Sequence, residues 1–456
     1  MVAISPPKVT KKAKRLVKHG DLRVDDYYWL NDRENPEVIA YLKAENAYYE
    51  KMTDHTKEFQ DLLFNEMKAR IKEDDTSVPY KLNGYYYYTR YETGKEYPIH
   101  CRKKGHLEAE ESVMFDCNDL AKGHDYFHLK GVSVSPDNTL AAFAVDTVSR
   151  RQYVIKIKNL VTGETLSDTL KNTTGGAVWA SDGKTLFYTK KDWTTLRSNQ
   201  VFKHRLYTSS SRDQLVYEEK DETFSTFVYK TKSKEYIVIG SASTMTSEYR
   251  ILPADRPDGE FTIFSPRIRG LEYEISHYKN DFYILTNKDG ATNFKLMRTP
   301  VSRTSSEFWE DFIAHRPEIL LEGVEFFNDF YVVVERSKGL NTLTMVRWSN
   351  GERYRLPFDS ETYVAGPMTN LDFDTDRLRF YYNAMTSPYA IKELNMETKQ
   401  VEVLKEQEVL DDSFDKKNYR SRRVWATARD GKQIPISLVY HKNTPLDGKS
   451  PLLQYA

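Results

Sequence analysis

The sequence is short of the residues from which catalytic centres are usually built. Only two cysteines, Cys101 and Cys117, occur in 456 residues. They lack the Cys-x-x-Cys pairing of structural zinc. A Cys101–Cys117 disulfide stays open, but two reduced thiols are the expected state. No two of the twenty glycines stand four apart, so there is no Gly-x-Ser-x-Gly elbow. None is spaced for a phosphate loop or a dinucleotide fingerprint either. None of the ten histidines is followed by glutamate, which removes the zinc-protease helix motif. No apolar run approaches the roughly 18 residues that span a bilayer, and the N-terminus has no signal-peptide core. Charge of one sign is missing too: 67 basic residues balance 67 acidic ones. No whole-chain field therefore favours nucleic acid or an anionic membrane. The expectation is a cytoplasmic protein with no nucleic-acid or membrane partner.

What is there is a repeat. Residues 132–146 read VSVSPDNTLAAFAVD. Val132 and Val134 alternate with serines, Ser135-Pro136-Asp137-Asn138 form a turn, and Leu140 to Val145 make a second apolar run. The same strand, turn, strand pattern recurs around Ser181-Asp182-Gly183, Thr231-Lys232-Ser233-Lys234, Lys279-Asn280, Asn328-Asp329 and Asp374-Thr375-Asp376. A poorer copy surrounds Asn83-Gly84. The second strands begin near 85, 140, 186, 236, 282, 330 and 378, in steps of 55, 46, 50, 46, 48 and 48 residues. Seven mostly β units at this period predict a seven-bladed β-propeller over residues 75–412. The 32 tyrosines suit half-buried strands. Tyr85 to Tyr88 are accordingly expected in a buried strand rather than a binding stripe.

The flanks have a different texture. Lys8, Lys11, Lys12, Lys14, Arg15 and Lys18 form a basic arm, expected to be solvated and docked rather than bound to nucleic acid. Residues 25–30 (DDYYWL) supply an aromatic anchor. Asn35, Pro36 and Glu37 look like an N-cap, a first-turn proline and a dipole-compatible acid. A helix follows, and a second is expected over 55–71 with Phe59, Leu62, Leu63 and Met67 on one face. These apolar stripes need a partner, so residues 1–74 are predicted to pack on another domain. Residues 191–223, rich in Thr, Ser and charge, read as a long blade-edge loop. After the charged linker 411–417, residues 419–428 and 433–440 flank Arg429-Asp430-Gly431-Lys432 as a hairpin out of phase with the repeat. Residues 451–455 (PLLQY) read as a new apolar strand. Residues 413–456 are thus expected to begin a further domain that is truncated here.

Chemistry is hard to find in these residues. Cys101, His106, Cys117, His124 and His128 are separated by 5, 11, 7 and 4 residues, which is not metal-ligand spacing. No metal site, cofactor or catalytic set is expected.

Several segments carry a resemblance: 25–30 (DDYYWL), 120–129 (LAKGHDYFHL), 134–138, 146–153 (DTVSRRQY) and 419–440 with its Ala-Arg-Asp-Gly turn. With the propeller period, they make the chain similar to the N-terminal portion of the prolyl oligopeptidase family, nearest its oligopeptidase B branch. The resemblance implies a serine peptidase whose α/β-hydrolase domain carries a Ser-Asp-His triad. It also implies a propeller covering that domain, so that only short peptides are cut, after Arg or Lys. The helical segment would belong with the catalytic domain. All three triad residues and the carboxylates reading the basic side chain would lie beyond Ala456. The oxyanion-stabilising tyrosine would follow Tyr455, which is not itself given that role. The chain alone is therefore expected to be inactive, with short Arg/Lys peptides and its own catalytic domain as partners. The resemblance also makes Arg150 and Arg151 candidates for interdomain ion pairs, against the alternative of solvated turn charges worth about 0–1 kcal/mol each. A stand-alone peptide- or protein-binding propeller and a prolyl-specific member of the family stay open.

Overall fold

The computed structural model describes residues 5–411 and 413–455. Asp412, at the expected domain boundary, and Ala456, the expected last residue before the triad, lie outside them. Two compact units form, Met1–Lys72 and Glu73–Ala456.

In the first unit, the Asn35 side chain accepts from the Glu37 amide at 3.0 Å and Pro36 fills the first turn. Helix α1 (Pro36–Thr53) therefore starts where expected. A 3-10 turn, Asp54–Thr56, leads into α2 (Lys57–Ala69). The basic arm folds as a hairpin, Lys14–Lys18 pairing antiparallel with Asp21–Asp25. Lys12 and Lys14 sit 4.2 and 3.9 Å over the rings of Trp29 and Tyr28, so the aromatic segment anchors the arm. No residue of α2 is buried, and Phe59, Leu62 and Met67 are 59–61% exposed. Among the described residues no helix is long and apolar enough to cross a membrane.

The second unit is a β-propeller built on the repeat. Its second strands start at Tyr85, Leu140, Thr185, Tyr236, Asp281, Phe330 and Arg377. One turn device recurs. Asn138, Gly183 and Lys234 all have φ of 64°. Their amides donate to the carbonyls three residues back, Ser135, Ala180 and Thr231, at 2.9, 3.3 and 2.8 Å. Those same three residues donate their own amides to the carbonyls of Leu140, Thr185 and Tyr236, each at 2.9 Å. Asp137 and Asp182 accept from the amides of Thr139 and Thr185 at 3.1 and 2.9 Å, which is why acids occupy the turn.

The expectation of seven blades is corrected by the strand pairing. Five four-stranded sheets stand separately: the first spans residues 80–116, the third 225–263, the fourth 273–313, the fifth 319–355 and the sixth 363–406. The second sheet is a single seven-stranded one from His128–Val134 to Gln214–Glu218. Its middle strand, Thr165–Trp179, runs unbroken for 15 residues and pairs with Tyr153–Asn159 on one side and Thr185–Lys191 on the other. The physical reason is a bend instead of a break. Asn172 and Gly175 take φ of 58° and 92°, and the register shifts there on both sides. The two halves then fold face to face around Ala142, Ile155, Leu170, Trp179, Leu186 and Tyr188. The expected loop over 191–223 is also corrected, since it holds Ser198–Arg205 and Gln214–Glu218. Residues 451–455, expected as an apolar strand, form none: among the described residues no strand pairs with them, and Leu452, Leu453 and Tyr455 are 78–99% exposed.

Apolar clusters fill the spaces between consecutive sheets. Phe115 meets Phe143 between the first and second, with ring centroids 4.6 Å apart. Phe187 meets Ile237 between the second and third, and Ile251 joins Tyr273 and Phe282 between the third and fourth. Tyr283 meets Phe326 and Val333 between the fourth and fifth, and Leu343 meets Leu378 between the fifth and sixth. The sixth and first sheets meet differently. Arg379 donates to the Pro79 carbonyl at 2.8 Å, Lys405 pairs with Asp75 at 2.6 Å, and a cavity of about 580 Å³ lies beside them. No strand pairs across that seam among the described residues.

Gly131 marks the tightest approach in the second sheet. A Cβ there would lie 1.8 Å from the Gly175 carbonyl oxygen, and φ is already +66°. Gly131→Ala should lower stability by about 3 kcal/mol, combining left-handed strain with overpacking against backbone. A fall in the urea midpoint at unchanged slope checks this.

Candidate functional site

An antiparallel four-stranded meander puts its first–second and third–fourth turns at one end and its second–third turn at the other. Arg150 and Arg151 lie in such a second–third turn, between Leu140–Asp146 and Tyr153–Asn159. Buried Asp146 ties the turn down, accepting from the amides of Val148 and Arg151 at 2.9 and 2.7 Å. Ser149 and Arg151 take φ of 61° and 55°. Lys191 Nζ caps the Arg151 carbonyl at 2.7 Å. The backbone is thus held rigidly while both arginines are exposed.

The same end carries the C-terminal hairpin, Tyr419–Thr427 paired with Gln433–His441. Its Arg423 amide donates to Glu361 Oε2 at 3.1 Å. The Arg423 guanidinium donates to the Lys338 carbonyl, in the second–third turn of the fifth sheet. Glycine is needed beside it: at Gly339, φ is +74° and a Cβ would sit 2.6 Å from the guanidinium. Trp425, Ile434, Ile436 and Val439 of the hairpin are exposed. The candidate site is therefore an interaction face made of a rigid diarginine turn and an anchored hairpin with uncovered apolar side chains.

Two side-chain constellations look catalytic on paper. His204 is clamped between Asp213 at Nδ1 (2.6 Å) and Asp168 at Nε2 (2.9 Å). All three side chains are 0–1% exposed, so no substrate reaches them. Tyr188 donates to Asp213 at 2.7 Å and the Tyr207 amide donates to Asp168 at 2.7 Å. Burial works against the imidazolium, but the bonds to Asp213 and then Asp168 outweigh it and raise the His204 pKa. It is a structural tie between strands of the second sheet. The other is a Ser–His pair, Ser233 Oγ and His277 Nδ1 at 2.9 Å. His277 is enclosed by Tyr236 and Phe282 rings, and burial lowers its pKa. Its Nε2 meets no carboxylate, so the third member of a triad is missing. Neither constellation has a local sequence signal, because the partners are 9, 36 and 44 residues apart.

The cysteine and histidine set around 101–128 does not converge. Cys101 and Cys117 are buried free thiols, pushed up to about 11 and about 12 by burial. His106 and His124 are exposed, and His128 bonds Tyr153 Oη at 2.7 Å. Among the described residues no three His, Cys, Asp or Glu side chains are grouped to hold a metal. Tyr87 and Tyr88 are buried, and Tyr88 donates to Glu111 at 2.5 Å.

A sequence profile described as Prolyl oligopeptidase, N-terminal beta-propeller domain, matches residues 7–407. Dipeptidyl aminopeptidase BI of Pseudoxanthomonas mexicana is 44% identical over 472 residues, covering 99% of this chain and 65% of its own length. Protease 2 of Moraxella lacunata is 32% identical over 444 residues, covering 96% of this chain and 63% of its own. Oligopeptidase B from Leishmania major superposes with a TM-score of 0.90 at 28% identity, covering 98% of this chain and 66% of that one. The chain spans 63–65% of the length of these curated relatives.

The His204 clamp makes a pH prediction. A raised folded pKa contributes stability that is complete below the ordinary histidine value of about 6.5 and is lost as pH rises through the folded value. His204→Gln should cost about 3 kcal/mol at pH 6, since two buried carboxylates lose their partner. The gap to the parent in denaturant midpoint should narrow by pH 9.

Proposed function

From the chain's membership of the prolyl oligopeptidase family of serine peptidases, whose N-terminal β-propeller domain it matches over residues 7–407, we propose that it is the access-limiting part of an oligopeptidase that hydrolyses short peptides after Arg or Lys. The observation that carries the reading is the face described above. An anchored hairpin exposes Trp425 and Ile434 at 44% and 47%, beside the end that bears Arg150 and Arg151. Uncovered apolar side chains on a fixed support suit a permanent partner, and the catalytic domain is that partner here. In the other unit, the uncovered stripe of α2 suits the same partner. Arg150 and Arg151 would pair with carboxylates of the catalytic domain and hold the two parts together. The chemistry would be attack by a serine on the peptide carbonyl, with histidine as general base and an oxyanion hole. Those residues are expected beyond Ala456, so the propeller contributes size selection and no bond-making group.

A second reading has one observation in its favour. The relative at 44% identity is named a dipeptidyl aminopeptidase. On that reading the intact enzyme releases dipeptides from a free N-terminus.

Fluorogenic peptides separate the two. The intact enzyme should cleave an N-terminally blocked peptide with Arg at the cleaved position, and replacing that Arg by Pro or Ala should lower kcat/KM by roughly 100-fold or more. Cleavage only of unblocked peptides, in steps of two residues, would establish the second reading. The present chain alone should turn over neither; turnover sensitive to a serine-reactive inhibitor would contradict the assignment of the nucleophile elsewhere.

A further inference from the structure

The first–second turns of the six sheets gather at the end of the propeller opposite the hairpin, and there they touch across the ring. Lys234 Nζ in the third sheet's turn donates to Asn83 Oδ1 in the first sheet's turn at 2.7 Å. Lys232 Nζ, two residues earlier, pairs with Glu325 Oε1 of the fifth sheet at 2.5 Å. The same ammonium lies 4.0 Å over the Phe327 ring and 5.2 Å over the Phe373 ring, which belongs to the sixth sheet's turn. Each of these contacts passes over at least one intervening sheet. Side chains reach that far only near the axis on which the sheets converge.

Shorter contacts complete the closure. His277 meets Ser233 at 2.9 Å, and the Asn328 amide donates to the Phe373 carbonyl at 2.9 Å. Asn138 Nδ2 donates to the Asn83 carbonyl at 3.1 Å. A cavity of about 330 Å³ lies among Lys232, Tyr278, Asn328 and Phe373. At this end Tyr278 of the fourth sheet also stacks on Phe373 of the sixth, with ring centroids 5.8 Å apart. The span across the ring thus combines that aromatic contact with a few polar side chains and one largely buried ion pair. Burial lowers the Lys232 pKa and raises that of Glu325, and each charge offsets the other. Removing either partner leaves an uncompensated charge, which favours opening to water over a quiet loss of one contact.

We propose that Lys232 is an axial latch. Its pairing with Glu325 and its seat on Phe327 and Phe373 hold the turn end of the propeller closed to polypeptide. The consequence for substrates rests on the access-limiting reading above; the latch itself does not.

Hydrogen–deuterium exchange of the intact protein, followed by mass spectrometry, tests the latch without using activity. Lys232→Met keeps the length of the side chain and Glu325→Gln its shape, so at least one variant should fold. In both, exchange should rise by about 10-fold in the turns at 83–84, 231–235, 326–329 and 372–375 together. The second–third turns at 147–152 and 338–339 should exchange as in the parent. Acceleration confined to 231–235 and 325, or spread evenly over all sheets, would overturn the latch. A second arm uses a ladder of peptides of increasing length with the intact enzyme. Both variants should cleave longer peptides than the parent does. If the turns loosen together while the length limit stays fixed, the latch stands and the access-limiting reading falls.

Discussion

A twisted four-stranded sheet buries neither face by itself, and everything in the larger unit follows from how its sheets cover one another. Phe115 on Phe143, Ile251 on Tyr273 and Leu343 on Leu378 are the same solution repeated. Each sheet uses its neighbour's apolar face as its own cover, so the order of sheets around the ring is also the order in the chain. The one departure, at the seam between the sixth and first sheets, is made by Arg379, Lys405 and a cavity instead of an apolar cluster. That seam lets the ring close without a shared strand.

Such an arrangement has two ends with different chemistry. At one, second–third turns leave Arg150 and Arg151 exposed, and Arg423 fixes an apolar hairpin to the fifth sheet. At the other, first–second turns meet across the axis through Lys232 and Lys234. The first end is built to be covered and the second covers itself. On the proposed function, the first end would seat the catalytic domain and the second would keep large polypeptides out. The groups that could act on a substrate within this chain are withdrawn into structure. His204 is sealed between two carboxylates, and His277 faces a serine without an acid behind it.

Much of the fold was legible because turn chemistry is local. Ser135 to Asn138 announce a tight turn in four letters, and strand starts placed from such turns fall within one residue of the observed ones. Asn35-Pro36-Glu37 fixed the start of α1 in the same way. The blade count was not legible, because it depends on whether a strand bends or breaks. Asn172 and Gly175-Gly176 resemble a turn in sequence, yet the backbone passes through them into one 15-residue strand. Ser198–Arg205 was hidden by its polarity, since its pairing is set by Thr185–Lys191 beside it and not by alternation of its own. The family was legible through the resemblance of segments in the flanks, 25–30 and 419–440, and inside the propeller, 120–129, 134–138 and 146–153. The Lys232–Glu325 pair was out of reach, because its members are 93 residues apart and a lysine in a turn looks like any solvated charge.

The central proposal is that no serine of residues 1–456 is the nucleophile and that this chain shapes access to it. Labelling the intact enzyme with a fluorophosphonate, which adds covalently to an activated serine, and mapping the adduct by peptide mass spectrometry tests this directly. The account predicts one adduct, on a serine C-terminal to Ala456, with every serine of the present sequence unmodified, including Ser233 beside His277. An adduct on Ser233 or any other serine of this sequence would contradict it.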